Sequence, residues 1–233
     1  LIVIEVDTPG GFSSSMRKIV QRIEASDVPV VVYVSPMGAR AASAGTFITM
    51  AAHVAVMAPN TSIGAAAAVQ SDGSDIDATL ARKVENDSVS FIRGVAELRG
   101  RNADWAEQAV REAVSATQTE AVELNVVDFI ANDLDEILIH IDGTTIEVKP
   151  GHTVTLTELT TSTRIITKMT LQERFLTHLT NPTLALILIS VGFLGLVIEL
   201  GNPGLILPGV AGVLSIAIGF LALGTLPVDT VGV

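Results

Sequence analysis

A serine among small residues is the first feature of this chain that points to chemistry. Ser43 lies in the segment 42–46, Ala-Ser-Ala-Gly-Thr, between an apolar run at 30–34 and a second apolar stretch. This order predicts a strand, a tight glycine turn and a helix that begins at or near the serine. There the backbone N–H groups of the helix N-terminus stabilise developing negative charge beside the hydroxyl. The alternative is an ordinary serine that caps the helix.

A nucleophilic serine needs a base, and the four histidines are the first candidates. His53 follows Ser43 at a distance of about 15 Å along a continuous helix, beyond hydrogen-bond reach. The other three lie beside turns or close to the hydrophobic tail: His140, His152 and His178. We therefore expect surface or hydrogen-bonded structural histidines and no Ser-His-Asp triad.

A lysine acts as a base when burial lowers its pKa. Lys83 lies in a predicted helix over 78–98, directly after a polar segment at 70–77 that we interpret as an active-site loop. It lies at the edge of the predicted buried stripe of that helix, which consists of Leu80, Val84, Phe91, Val95 and Leu98. The alternative is a lysine whose alkyl stem packs on the core while its ammonium stays in water. The other three lysines have no such position. Lys18 lies off the apolar face of its predicted helix, Lys149 precedes a Pro-Gly turn, and Lys168 lies near the hydrophobic tail.

The segment 7–11, Asp-Thr-Pro-Gly-Gly, supplies backbone donors at the end of the first predicted strand. In a parallel sheet this turn and the turn of Ser43 lie at the same carboxyl edge. The N–H groups of Gly11 and Ala44 therefore form a predicted oxyanion hole. A Pro-Gly-Gly segment by itself is usually only a turn.

The elements that must position these residues alternate between strand and helix. Predicted strands at 1–6, 30–34 and 53–57 are separated by a helix over 13–25 and by the helix after Ser43. This alternation predicts an α/β core with right-handed crossovers. Further predicted elements are helices over 104–116 and 119–124, a strand over 126–130 and two short strands within 142–157.

Composition excludes several classes of protein. The 233 residues include no cysteine, which excludes disulfides, thiolate metal sites and a cysteine nucleophile. A net charge of −11 argues against a nucleic-acid partner, because phosphate binding needs clustered Lys and Arg. Since the chain begins inside a predicted strand, we expect it to be a fragment of a longer protein at both ends.

The C-terminal part of the chain has the composition of a membrane segment. Residues 183–200 carry one charge and residues 205–226 carry none, and each run is long enough to cross about 30 Å of hydrocarbon. The alternative is a buried helical hairpin of a soluble protein. Before them, residues 171–179 place apolar side chains four apart, as in a short helix at the membrane interface.

These residues together resemble the NfeD (nodulation-efficiency protein D) family, whose long forms carry a ClpP-like serine protease domain. The similarity spans essentially the whole chain. The matching stretches are 7–11, 35–46, 57–65, 83–87, 99–102, 119–124 and 181–209. Three residues depart from the family pattern: Ala67 and Ala68 replace a frequent His-Pro, and Asn125 replaces a common glycine.

The resemblance implies a ClpP/crotonase-like fold followed by transmembrane helices, with Ser43 as nucleophile and Lys83 as general base. It implies cleavage of hydrophobic peptide segments, notably in a stomatin-like (SPFH) membrane partner, by a homodimer or higher oligomer without metal or organic cofactor. It also implies a multi-pass membrane protein with an extracytoplasmic protease domain. The basic residues before the first predicted span, Arg164, Lys168 and Arg174, favour the opposite orientation.

The sequence therefore predicts three regions: a protease domain at 1–160, a juxtamembrane linker at 161–182 and a membrane domain with two spans at 183–233. The leading hypothesis is a membrane-anchored serine endoprotease with a Ser-Lys dyad. The alternatives are a non-proteolytic scaffold for stomatin-like proteins and a crotonase-like acyl-CoA enzyme.

Overall fold

The computed structural model of the chain describes residues 1–67, 78–168, 170–171, 173, 182–202 and 204–225. It divides into two compact units, Leu1–Thr163 and Arg164–Val233. The predicted loop at 70–77 and most of the predicted interfacial helix at 171–179 lie outside the described residues.

The first unit alternates strands and helices, as predicted. Its strands are β1 (Ile2–Val6), β2 (Val30–Val34), β3 (Arg40–Ala42), β4 (Val54–Met57), β5 (Ser62–Gly64), β6 (Ser115–Thr117), β7 (Phe129–Ile130), β8 (Thr145–Lys149) and β9 (His152–Thr155). Its helices are α1 (Ser13–Glu24), α2 (Ala44–Ala51), α3 (Ala78–Leu98), α4 (Ala103–Arg111), α5 (Gln118–Glu123) and α6 (Leu134–Ile141).

A parallel sheet in the order β1-β2-β4-β7 forms the centre of this unit. All five residues of β2 are buried, because helices cover one face of the sheet while α6 and the β8–β9 hairpin cover the other. This double coverage explains why β2 is a continuous apolar run. A second, smaller sheet has the order β3-β5-β6. The predicted α/β architecture is thereby confirmed.

The packing of α3 differs from the predicted stripe. Val95 is buried and Val84 and Phe91 are half-buried, but Leu80 is 51% exposed and Leu98 is 48% exposed. The buried side chains of the helix lie between Val89 and Ala96, so Leu80 before them and Leu98 after them stay outside the core. Apolar spacing identifies a face of a helix, whereas burial depends on how far the neighbouring elements reach along it.

The second unit contains a pair of packed apolar helices, α7 (Pro182–Gly201) and α8 (Leu207–Thr225). A Cβ on Gly192 would lie 2.6 Å from the Gly212 carbonyl oxygen, and one on Gly195 would lie 2.6 Å from that of Pro208. The two backbones therefore approach closely at these glycines.

One described helix, Thr183–Gly201, is long and apolar enough to cross a membrane, with a mean hydropathy of 2.4. The second predicted span, at 205–226, corresponds to α8, in which the apolar stretch that can be compared, Leu207–Ala222, is shorter. Within the described part of the chain, the structure therefore supports one of the two predicted spans by length.

Candidate active site

Ser43 joins β3 to α2 in a conformation that is unusual for a serine. Its φ is 52° and its ψ is −116°, and its side chain makes no capping hydrogen bond. A capping serine has an extended backbone and accepts a hydrogen bond from the helix, so Ser43 is not an ordinary N-cap. Its N–H donates to the Gly64 carbonyl at 3.1 Å, which ties this turn to β5.

The first glycine turn lies directly against the serine. A Cβ on Gly10 would lie 2.8 Å from Ser43 Cβ and 3.2 Å from Ser43 Oγ, and one on Gly11 would lie 3.9 Å from Ala44 Cβ. Only a glycine permits this approach at Gly10, whose φ is +137°. The structure thus brings together the segments that carry Ser43, Ala44 and Gly11. Ala44 also lies in the first turn of α2, where N–H groups have no acceptor within the helix.

Thr8 holds the glycine turn in this place, a role that the sequence analysis missed. Its N–H donates to the Arg40 carbonyl at 2.8 Å, and its carbonyl accepts from the Ala42 N–H at 3.1 Å. Its hydroxyl oxygen accepts from the Gly10 N–H at 3.1 Å. A threonine directly before Pro-Gly-Gly is a local signal for such a turn.

Thr46 also fixes the turn that carries Ser43, and this role was not predicted from the sequence. Its fully buried hydroxyl contacts the carbonyl oxygens of Ala41 and Gly64, at 3.0 Å each. The hydroxyl thus connects α2 to both β3 and β5. Sequence spacing contains no signal for this contact, because the two acceptors belong to separate strands.

Lys83 lies in the first half of α3, and its side chain is exposed. In a single copy of the chain, the expected position of Lys83 at the edge of a buried stripe is therefore wrong, because the neighbouring Leu80 is exposed as well. The described contacts do not join Lys83 to Ser43. Pairing of the two side chains stays a prediction.

His53 has a structural role in the first unit. Its Nδ1 accepts from the Val30 N–H at 3.1 Å, so the neutral ring carries its proton on Nε2 and donates to the Val148 carbonyl at 2.9 Å. Burial is the main cause that lowers the pKa of His53 from its usual 6.5, and Arg99 and Arg101 add to this effect.

The remaining histidines were expected to lie at the surface. His140 stacks on Phe129 with 4.0 Å between ring centroids, and His152 is exposed on β9. His178 lies outside the described residues. Among the residues that the structure does describe, no three His, Asp or Glu side chains form a group that could hold a metal ion.

The site can therefore present a serine hydroxyl, backbone donors and a helix N-terminus where the turn after β1 meets the turn after β3. These two strands belong to different sheets, so the expectation of a single sheet edge is wrong. The model of the NfeD1b N-terminal domain matches residues 1–149, and that of the NfeD integral membrane domain matches residues 183–233. The chain belongs to the NfeD family.

Two full-length relatives resemble this NfeD chain over its whole length. It is 35% identical to the membrane-bound protease PH1510 of Pyrococcus horikoshii, with 100% of this chain and 53% of the relative covered. It is 29% identical to the membrane protein NfeD1b of Bacillus subtilis, with 99% of this chain and 51% of the relative covered. The chain thus spans about half the length of these relatives.

Two solved structures share the fold of the NfeD chain. One is a lysine-to-alanine mutant of the 1510-N membrane-bound stomatin-specific protease with a substrate peptide: the TM-score is 0.69 and the identity 37%, over 76% of this chain and 81% of that one. The other is a serine-to-alanine mutant of 1510-N, with a TM-score of 0.65 and 39% identity over 72% of this chain and 82% of that one.

Proposed function

We propose that this NfeD chain is a membrane-anchored serine endoprotease that uses Ser43 as nucleophile and Lys83 as general base. The observation that carries the proposal is the backbone of Ser43, which has a positive φ at the start of α2 and lies against Gly10. Strained backbone of this kind is concentrated at functional sites, and a nucleophilic serine at a strand-to-helix turn is a recurrent example.

In the proposed reaction, the neutral amine of Lys83 takes the proton from Ser43 Oγ as the oxygen attacks a peptide carbonyl. The N–H groups of Gly11 and Ala44 donate to the resulting oxyanion. When the tetrahedral intermediate collapses, Lys83 gives its proton to the leaving amine, and an acyl-enzyme remains on Ser43. Lys83 then removes a proton from the water that hydrolyses this ester. The reaction needs no metal or organic cofactor.

Exposure of Lys83 in the free chain sets a condition on this mechanism. Water favours the ammonium form of a lysine, which cannot accept a proton. The side chain of Lys83 must therefore be shielded from water before its amine can act as a base. An apolar peptide segment bound across α3 would exclude water from Lys83 and cover Leu80. This condition agrees with a substrate that is itself hydrophobic.

The substrate class and assembly rest on the relatives. The 1510-N structures are those of a stomatin-specific protease, and the two mutants replace a serine and a lysine. These names support a stomatin-like membrane partner and a Ser-Lys pair for this chain as well. A homodimer or higher oligomer, in which a second copy helps to cover α3, is part of the same proposal.

The dyad is tested with the whole chain in detergent micelles and an apolar peptide substrate. Ser43→Ala and Lys83→Ala are each expected to lower kcat/KM by at least about a thousandfold. Lys18→Ala is the matched control, since Lys18 is an exposed lysine on α1. Equal activity in Lys83→Ala and Lys18→Ala would overturn the dyad. Wild-type protein that cleaves no apolar peptide would favour the scaffold function.

The protease unit is proposed to face the outside of the cell. Since the chain has no cysteine, single cysteines can report the side of the membrane. An impermeant maleimide should label His152→Cys in intact cells and Asn202→Cys only in inverted vesicles. Labelling with the reverse pattern would place the protease unit in the cytoplasm.

A further inference from the structure

The half of α3 that carries Lys83 is not held by a buried core. Each of residues 79–88 is exposed or half-buried, and Val89 is the first buried residue within the stretch 79–98. From Val89 onward the helix contributes several residues to the core, including Ile92 and Val95. Polar contacts at the surface must therefore contribute strongly to the position of the turn that bears Lys83.

Arg17 of α1 makes two such contacts. Its guanidinium pairs with the Asp87 carboxylate, one helical turn after Lys83, and lies 4.2 Å from the centroid of the Phe91 ring. A cation over an aromatic face is attracted by the ring quadrupole, so both contacts favour the same placement of the arginine.

The Phe91 ring continues this series of contacts to the serine helix. It stacks on Phe47, with 6.0 Å between the ring centroids and 21° between the planes. Phe47 is buried in α2, one helical turn after Ser43. The contacts of Arg17 thus join the turn that bears Lys83 to the helix that begins at Ser43.

We propose that Arg17 is a positioning residue, which sets the first half of α3 against α2 and so the distance between Lys83 and Ser43. This inference rests on the proposed function. Arg111 of α4 supports the same turn from another helix, with 2.6 Å from its Nη1 to Glu85 Oε1 and 3.2 Å from its Nη2 to Asn86 Oδ1.

The test compares Arg17→Gln with Arg93→Gln in the whole chain in detergent micelles. Arg93 is a matched control, because it pairs with Asp104 at 2.9 Å and Glu107 at 2.8 Å in the part of α3 that the core already holds. Glu107 also accepts from Arg111 Nε at 2.6 Å, and this bond remains in Arg93→Gln. In Arg17→Gln, we expect faster amide hydrogen exchange over residues 79–88 but not over 89–98. With an apolar peptide, kcat should fall about tenfold or more while KM stays within about twofold, because small displacements of a catalytic group are costly.

Arg93→Gln should leave turnover and the exchange of residues 79–88 unchanged. The charge-exchanged pair Arg17→Glu with Asp87→Arg should recover part of the kcat lost in Arg17→Glu, because it restores the ion pair but not the contact with Phe91. Loss of folding would not allow this recovery. The proposal is overturned if Arg17→Gln leaves both exchange and kcat within about twofold of wild type, or if Arg93→Gln lowers kcat equally. If Arg17→Gln loosens residues 79–88 while the wild type cleaves no peptide, the contact of Arg17 stands and the proposed protease function fails.

Discussion

The backbone of Ser43 has a φ of 52°, which costs a non-glycine residue about 1–3 kcal/mol unless its surroundings hold it there. Those surroundings are specific contacts. The N–H of Ser43 donates to the Gly64 carbonyl, and the Thr46 hydroxyl contacts the carbonyl oxygens of Ala41 and Gly64. Gly10 lies so close that a Cβ there would meet Ser43 Cβ at 2.8 Å. These contacts fix the backbone of the turn that carries the Ser43 hydroxyl.

Gly10→Ala tests the close approach at the serine. The new Cβ would lie 2.8 Å from Ser43 Cβ at a φ of +137°, so both the clash and the backbone strain oppose it. We expect a loss of at least about 2 kcal/mol of unfolding free energy and a loss of turnover. Thermal unfolding and peptide cleavage measure the two effects.

Gly143→Ala is the control for Gly10→Ala. Gly143 also has a positive φ, of +78°, but a Cβ there would meet no atom within 4 Å. The unfolding free energy of Gly143→Ala should fall by about 1 kcal/mol through backbone strain, and its turnover should stay unchanged. Normal turnover in Gly10→Ala would show that the contact with Ser43 is not needed for activity.

Two buried threonines of α2 make a second comparison. The Thr46 hydroxyl bonds two carbonyls, whereas Thr49 Oγ1 is buried without a hydrogen-bond partner among the described residues. Thr46→Val should therefore lower the unfolding free energy by about 1–3 kcal/mol, and Thr49→Val should leave it unchanged or raise it by up to about 1 kcal/mol. Denaturant unfolding measures both. Equal losses in the two variants would contradict the assigned role of Thr46.

At the scale of elements, the central sheet is tied to the helices and to the β8–β9 hairpin by polar side chains at strand ends. His53 precedes β4, accepts from the first residue of β2 and donates to β8. Arg101 is buried beside it, donates to the carbonyls of Met50 and Ala52 and pairs with Asp128 at 2.7 Å. Arg101 thus binds carbonyl oxygens at the C-terminal end of α2, the end opposite to Ser43.

His53 makes the stability of the first unit depend on pH. The folded-state pKa of His53 lies below its unfolded value of 6.5, so the unfolded chain binds more protons between the two values. Stability contributed by the neutral ring is complete above the unfolded pKa and is lost as the pH falls through it. Lowering the pH from about 7.5 to about 5.5 should therefore reduce Tm through this group.

The variant His53→Gln should make Tm depend less on pH over this interval than it does in the wild type. His152→Gln is the control, because His152 is exposed on the hairpin. The assignment would be wrong if the two variants had the same pH dependence of Tm.

At the scale of the whole molecule, an α/β unit is followed by a unit of apolar helices. In the second unit, Glu199 Oε1 accepts from the Ile206 N–H at 3.1 Å and from the Gly204 N–H at 3.4 Å, which closes the connection between α7 and α8. Glycines then allow the two helix backbones to pack closely. Such packing is a main source of helix association where lipid replaces water.

Gly195→Val tests this packing. A side chain there would meet the Pro208 carbonyl oxygen at 2.6 Å, so we expect α7 and α8 to separate and their amides to exchange faster in micelles. Gly201→Val is the control, because a Cβ at Gly201 meets nothing within 4 Å. Unchanged exchange in Gly195→Val would contradict the close approach of the two helices.

Regular periodicity explains which elements were predictable. Residues 30–34 are apolar throughout, and the structure buries β2 on both faces. The predicted helix over 78–98 has the observed bounds of α3. By contrast, β3 and β5 have three residues each and were missed, because strands this short have no readable alternation and form only by pairing with each other, with Thr8 and with β6.

The sequence by itself determined the α/β class and the apolar C-terminal helices and made Ser43 the candidate nucleophile, because these depend on residue types and on spacing along the chain. Only the tertiary structure decided that Gly10 lies against Ser43, that Thr8 and Thr46 hold the turn, and that the core leaves Lys83 exposed. These features are contacts between segments that are distant in sequence, and burial depends on which segments meet. Local spacing cannot contain that information.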